Sequence, residues 1–169
     1  MSDTFRVGQG FDVHRFSDDP TRLLVLGGVS FPDQRALVGH SDADVAAHAC
    51  TDAILGAAGL GDIGHFFPDN DPAFAGADSV KLLGQAAEAV VAAGWEVVNV
   101  DCTLILDEPK LAPHREQMQQ NLSAAVGATV SLKGKRTEGV AGLAGGIQGH
   151  AVALLRGSSP AGGTGDTNG

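Results

Sequence analysis

At 169 residues and 43% hydrophobic content, the chain is long enough for one compact core and too short for two ordinary domains. Its net charge of −9 speaks against non-specific nucleic-acid binding, which depends on Lys and Arg neutralising phosphates, and no run approaches the ~20 apolar residues of a membrane span. Cys50 and Cys102 form no Cys-x-x-Cys pair and no secretory leader opens the sequence, so reduced cysteines and a cytoplasmic location are expected.

In chain order, residues 5–14 read as a strand, followed by a second at 23–29 in which Gly27-Gly28 marks a bend or bulge. Ser41 or Asp42 can cap a helix running to about Gly56, with Val45, Ala49 and Ile54 on its buried stripe. The Gly- and Asp-rich LGDIGHFFPDNDP is too irregular for a core element and is placed for function. Asp78 or Ser79 opens a second helix carrying Leu82, Leu83, Ala86 and Val90, and Gly94 can end it. Val98, Val100, Cys102, Leu104 and Leu106 alternate as in a half-buried strand. Pro113 suits the first turn of a third helix with Met118, Leu122 and Val126, stopped by Gly127. Residues 130–132 and 151–155 supply two more strands. Residues 1–156 thus read as a single α+β domain, with helices on one face of a sheet. Residues 157–169, lacking any large apolar side chain, read as a disordered tail.

The chemistry-bearing residues fall in a few segments. In GFDVH, Asp12 and His14 share one face of a strand. In HSDADVAAHA, Asp44 and His48 lie four apart on a helix, so Asp44 is expected to orient the His48 ring. Asp12, His14 and His48 make an Asp/His/His set that suits Zn²⁺ with a fourth position open. Asp62, Asp69 and Asp71 crowd the loop that holds Gly61 and Gly64; standing alone, that loop would be a solvated acidic turn. Lys110, between Pro109 and Pro113, can meet a phosphate, and Glu138 after Thr137 offers a carboxylate for a second metal. Lys135 and Arg136 add positive charge there.

Together, GFDVH, HSDADVAAHA, the DIG…FPDNDP loop and PKLAPH resemble the 2-C-methyl-D-erythritol 2,4-cyclodiphosphate synthase family in order and spacing. The resemblance implies a homotrimer of ferredoxin-like subunits on a mixed sheet, with sites between neighbours. It also implies a lyase reaction of isoprenoid biosynthesis: ring closure of a cytidine diphosphate substrate, with release of CMP. Asp12, His14 and His48 match zinc ligands, one ion per subunit, and Asp12 and His14 also border the substrate. His40 and Ser41 match the contacts to the phosphorylated erythritol, His40 as a transition-state stabiliser. Asp62, Ile63, Gly64, Phe67, Asp69 and Asp71 match the substrate loop. Leu106, Pro109, Lys110, Leu111 and Ala112 match the cytidine pocket. Lys135, Arg136, Thr137 and Glu138 match a Thr-Thr-Thr-Glu segment whose acid holds a second divalent ion, Mg²⁺ or Mn²⁺. Here Arg136 stands at the position of a stabilising threonine. Residues 139–149 lack the arginine that, in relatives, clamps an isoprenoid diphosphate on the three-fold axis, so no such ligand is expected. The competing readings are a zinc phosphohydrolase giving a linear product and a non-catalytic zinc-binding trimer.

Overall fold

Two eleven-residue strands, β1 (Phe5–Arg15) and β4 (Trp95–Ile105), flank the twelve-residue β6 (Gly146–Gly157), and β5 (Thr129–Lys135) closes the sheet beside β4. These elements come from a computed structural model that describes residues 4–68 and 70–157. β6 is antiparallel to both neighbours, whereas β4 and β5 are parallel. A parallel pair needs a crossover, and α4 (Arg115–Val126) provides it. α1 (Val45–Ala58) crosses β1, β6 and β4, and α3 (Ser79–Ala92) packs on α1, α4 and β4, so the helices cover one face of a mixed sheet. Among the described residues no helix is long and apolar enough to cross a membrane.

Five local expectations are corrected. The Gly27-Gly28 pair is the turn of a separate hairpin, β2 (Leu24–Leu26) with β3 (Val29–Phe31), both glycines having positive φ. Such consecutive left-handed residues make a tight hairpin turn, not a bulge. The first helix starts at Val45 and not at Ser41, because Ala43 adopts φ 59° and Asp44 is the cap. The third helix starts at Arg115, two residues beyond Pro113. In β4 a register shift between Val97 and Asn99 turns Val97 inward and leaves Val98 exposed, while Val100, Cys102, Leu104 and Leu106 are buried as expected. At the C-terminus Gly157 ends β6, its N–H donating to the Thr4 carbonyl at 2.8 Å, so the strand runs one residue into the expected tail. Residues 158–169 lie outside the described residues.

α1 is buried on nearly every side, not along a single stripe. It lies against Gly8 and Gly10 of β1 and Gly149 of β6, close enough that an added Cβ would meet helix backbone. At Gly10 it would stand 1.9 Å from the Ala49 carbonyl, and at Gly8 2.1 Å from that of Ala53. Beyond these glycines, on the same face of β1, come Asp12 and His14. β1, β4 and β5 run one way and β6 the other, with His14 opposite Ile147, and Ile105 opposite both Gln148 and Lys135. One end of the sheet therefore gathers the exits of three strands. The face away from the helices carries Val7, Phe11, Val13 and Val152, all exposed.

Candidate active site

His14 is fixed by its Nδ1, which lies 2.5 Å from the Val38 carbonyl. A carbonyl only accepts, so Nδ1 carries the proton and Nε2 turns its lone pair inward. His48 is fixed from the other side. Its Nε2 lies 2.8 Å from Ser79 Oγ, and that hydroxyl donates to Asp42 Oδ1 at 2.5 Å. Ser79 must therefore accept from His48 Nε2–H, which leaves the Nδ1 lone pair facing His14 and Asp12. His14 Nε2, His48 Nδ1 and Asp12 Oδ2 stand 3.0, 3.1 and 3.3 Å apart, and they are the one such cluster among the described residues.

Three acceptors aimed at one point repel unless a proton or a metal ion sits among them. Burial alone would raise the Asp12 carboxyl, but once a proton enters the triangle the His14 and His48 rings hydrogen-bond to the carboxylate and bring positive charge, which outweighs burial and holds Asp12 well below the usual carboxylate range. Burial likewise opposes charge on His14, yet the bond to Asp12 prevails and lifts the imidazole above its ordinary pKa. The cluster therefore already attracts positive charge. Donors around a tetrahedral ion with bonds of about 2.0–2.1 Å are separated by about 3.3 Å. The observed triangle fits that edge, and a divalent metal ion suits it.

The expected Asp44–His48 side-chain pairing is not made. The Asp44 carboxylate is fully buried and accepts from the N–H groups of Gly27, Gly28, Ala46 and Ala47, at 2.7 to 3.2 Å. Burial pushes its pKa up to about 6, against the pull of the Gly28 and Gly27 N–H groups. Asp44 ties the hairpin to the start of α1, and the hydroxyls take its place at the imidazole. Ser41 Oγ lies 3.1 Å from His48 Nε2 and 3.2 Å from Ser79 Oγ. Removing the outer partner of a metal-binding histidine lowers metal affinity about 10–100-fold. Ser79→Ala should sit in that range when metal is titrated against a chromogenic chelator. Unchanged affinity would show that Ser41 alone orients the ring.

Much of the acidic loop is occupied in shaping itself. Asp62 caps the short α2 (Ile63–Phe66) by accepting from His65 N–H at 2.8 Å, and Asp71 caps the turn of Pro72–Phe74 by accepting from Ala73 N–H at 2.9 Å. Asp69 lies outside the described residues. Phe67 packs edge-on against Phe74, and His40 Nε2 donates to the Asp71 carbonyl at 3.0 Å, stitching this loop to the segment that leads into α1. Asp52, one turn beyond His48, was not singled out from the sequence. It accepts from Ile63 N–H at 2.8 Å, and burial raises its pKa.

The remaining candidates gather across the sheet end. Leu106, Pro109, Lys110, Leu111, Ala112, Lys135 and Arg136 line a pocket of about 270 Å³. On its wall, Asp107 accepts from the Thr137 hydroxyl at 2.6 Å and from its N–H at 3.2 Å, with Arg136 Nε at 3.7 Å. Hydrogen bonding to Thr137 holds Asp107 below its ordinary pKa. Glu138 follows in a left-handed conformation, φ 51°, on the rim of a neighbouring 540 Å³ pocket. The Asp12–His14–His48 cluster sits on the β1 edge and this pocket on the β4–β5 side, with β6 between them.

The chain matches the YgbB family over residues 5–156. It is 56% identical over 160 residues to the 2-C-methyl-D-erythritol 2,4-cyclodiphosphate synthase of Azoarcus sp. (strain BH72), covering 92% of this chain and 98% of that one. The enzyme of the same name from Rubrobacter xylanophilus is 54% identical over 157 residues, covering 89% and 94%. Among solved structures, a CDP-bound 2C-methyl-D-erythritol-2,4-cyclodiphosphate synthase superposes with a TM-score of 0.80 at 40% identity, covering 89% of this chain and 99% of that one. The bifunctional IspDF from Campylobacter jejuni gives a TM-score of 0.85 at 39% identity; the match covers 92% of this chain and 43% of that longer protein.

Proposed function

The chain belongs to the YgbB family and forms 2-C-methyl-D-erythritol 2,4-cyclodiphosphate in the methylerythritol phosphate route to isoprenoids, and from that premise we propose how its residues act. The substrate is 4-diphosphocytidyl-2-C-methyl-D-erythritol 2-phosphate. A 2-phosphate oxygen attacks the β-phosphorus of the cytidine diphosphate arm and a new P–O bond closes the ring. The bond from the β-phosphorus to the bridging oxygen breaks, and CMP leaves with that oxygen. Both reacting groups are anionic, so catalysis rests on positioning and charge neutralisation.

Asp12, His14 and His48 would hold one zinc ion per subunit, which when bound supplies Lewis acidity toward a phosphate oxygen. Glu138 would hold a second divalent ion, Mg²⁺ or Mn²⁺. Lys110 and Lys135 offset phosphate charge in the pocket, and the backbone of residues 106–112 reads the flat cytosine edge. His40 and Ser41, beside the metal cluster, take the erythritol phosphate, and His40 stabilises the developing charge. Arg136, held by Asp107, is available to do the same from the nucleotide side. The substrate loop, residues 62–64 and 67–71, borders the erythritol and ribose. The convergence of three lone-pair acceptors on one point carries this reading. Phosphorus NMR of the product tests it, with a cyclic diphosphate and CMP expected. A linear diphosphate would mean hydrolysis and overturn the proposal.

The catalytic unit is a homotrimer with sites shared between subunits. The exposed apolar face of Phe11, Val13 and Val152 supports this, as does the separation of the metal edge from the nucleotide pocket by intervening strands spaced about 4.8 Å apart. His48→Ala and Lys110→Ala proteins, each inactive alone, should regain activity when mixed under conditions of subunit exchange. No recovery with exchange confirmed would refute shared sites. Because residues 139–149 contain no Lys or Arg, they are proposed to offer no cationic clamp to an isoprenoid diphosphate.

A further inference from the structure

Four of the chain's eleven Lys and Arg residues, Lys110, Arg115, Lys135 and Arg136, line the single 270 Å³ pocket at the exit of β4. Arg136 pairs with Asp107, and among the described residues the other three side chains have no ion-pair or hydrogen-bond partner. Asp107, the one acid on that wall, is itself bound by Thr137. Cations gathered around one concavity repel each other, and a bound anion relieves that repulsion. Arg115 is also the first residue of α4, so its charge opposes the helix dipole unless an anion lies nearby. The preceding His114 packs edge-on against Phe31, with ring centroids 4.9 Å apart, which steadies the turn from which Arg115 projects.

We propose that Arg115 is a further nucleotide-binding residue, its guanidinium holding a phosphate oxygen of the cytidine diphosphate arm; this rests on the nucleotide reading of the pocket given above. The base faces Leu106, Pro109 and Leu111, while Arg115, Lys110 and Lys135 surround the phosphates. Arg115 lies outside the segment that a cytidine-pocket motif delimits, and it reaches the pocket because the short connection into α4 brings the helix start back over β5.

Calorimetric titration of the zinc-loaded protein with CMP and with cytidine tests the assignment. Arg115→Met should weaken CMP about tenfold, as expected for one charge-assisted contact, and leave cytidine within about twofold. Arg115→Lys should recover most of the loss. In turnover, KM should rise by a similar factor with kcat nearly unchanged. Equal losses for CMP and cytidine, no loss for either, or a fall in kcat alone would overturn the phosphate role. Failure of the wild-type protein to bind CMP would instead overturn the nucleotide reading itself.

Discussion

His48→Ala is expected to lose the zinc proposed for the site and at least about a thousandfold in CMP release, the kinetic equivalent of several kcal/mol of charge stabilisation by a metal. The size of the effect follows from the geometry. His48 Nδ1 lies 3.0 Å from Asp12 Oδ2 and 3.3 Å from His14 Nε2, so its removal takes away one corner of the acceptor triangle. Asp12 also loses one of the two imidazoles that help hold its carboxyl ionised, and the half-open site becomes a poorer match for a tetrahedral ion. Metal content by mass spectrometry and CMP release should fall together, with far-ultraviolet circular dichroism unchanged. One zinc per subunit together with full turnover would sink the ligand assignment.

Gly10→Ala is expected to destabilise the protein by at least about 3 kcal/mol. The new Cβ would fall 1.9 Å from the Ala49 carbonyl oxygen and 2.7 Å from the Ala53 nitrogen, both backbone atoms that no rotamer change can move. α1 would have to rise off the sheet and carry His48 away from Asp12 and His14, so stability and metal affinity should drop together. For a domain of this size the thermal midpoint should fall by roughly 10 °C. Gly84→Ala makes the contrast. Gly84 lies within α3, and its nearest atom, the Ala125 carbonyl oxygen, would be 3.8 Å from a new Cβ, an ordinary contact. Its replacement should stabilise by about 0.5–1 kcal/mol through helix propensity. A Gly10→Ala protein that kept its midpoint within about one degree would show that α1 does not depend on this close approach.

What the sequence makes legible is whatever depends on local spacing. Asp12 and His14 at i, i+2 needed only a strand to face the same way, and Met118, Leu122 and Val126 needed only a helix to be buried together. Residues whose role comes from packing between distant elements stayed hidden. Ser79 sits at the first position of α3, where its hydroxyl reads as a capping group; only the packing of α3 against α1 brings it to His48. The reverse error occurred at Asp44. Its i, i+4 spacing to His48 holds only if the helix already includes Asp44, but the residue lies just outside and its carboxylate turns back to the Gly27-Gly28 turn. The hairpin itself was missed because three-residue strands are too short to show alternation. In VVNV the bulge decides which valine faces inward, and nothing in four apolar-rich residues fixes its position.

The glycines beneath α1 also bear on how this protein can change over generations. Every single-base change in a glycine codon that alters the residue yields an amino acid bearing a Cβ. Gly8, Gly10 and Gly149, where any Cβ would overlap helix atoms at 2.7 Å or less, therefore have no harmless neighbour in sequence space. Across the contact Ala49 and Ala53, themselves fully buried, can grow only by pushing against the same strands. The Asp12–His14–His48 geometry is inherited through backbone atoms that most mutations cannot reach without unfolding the chain that carries them.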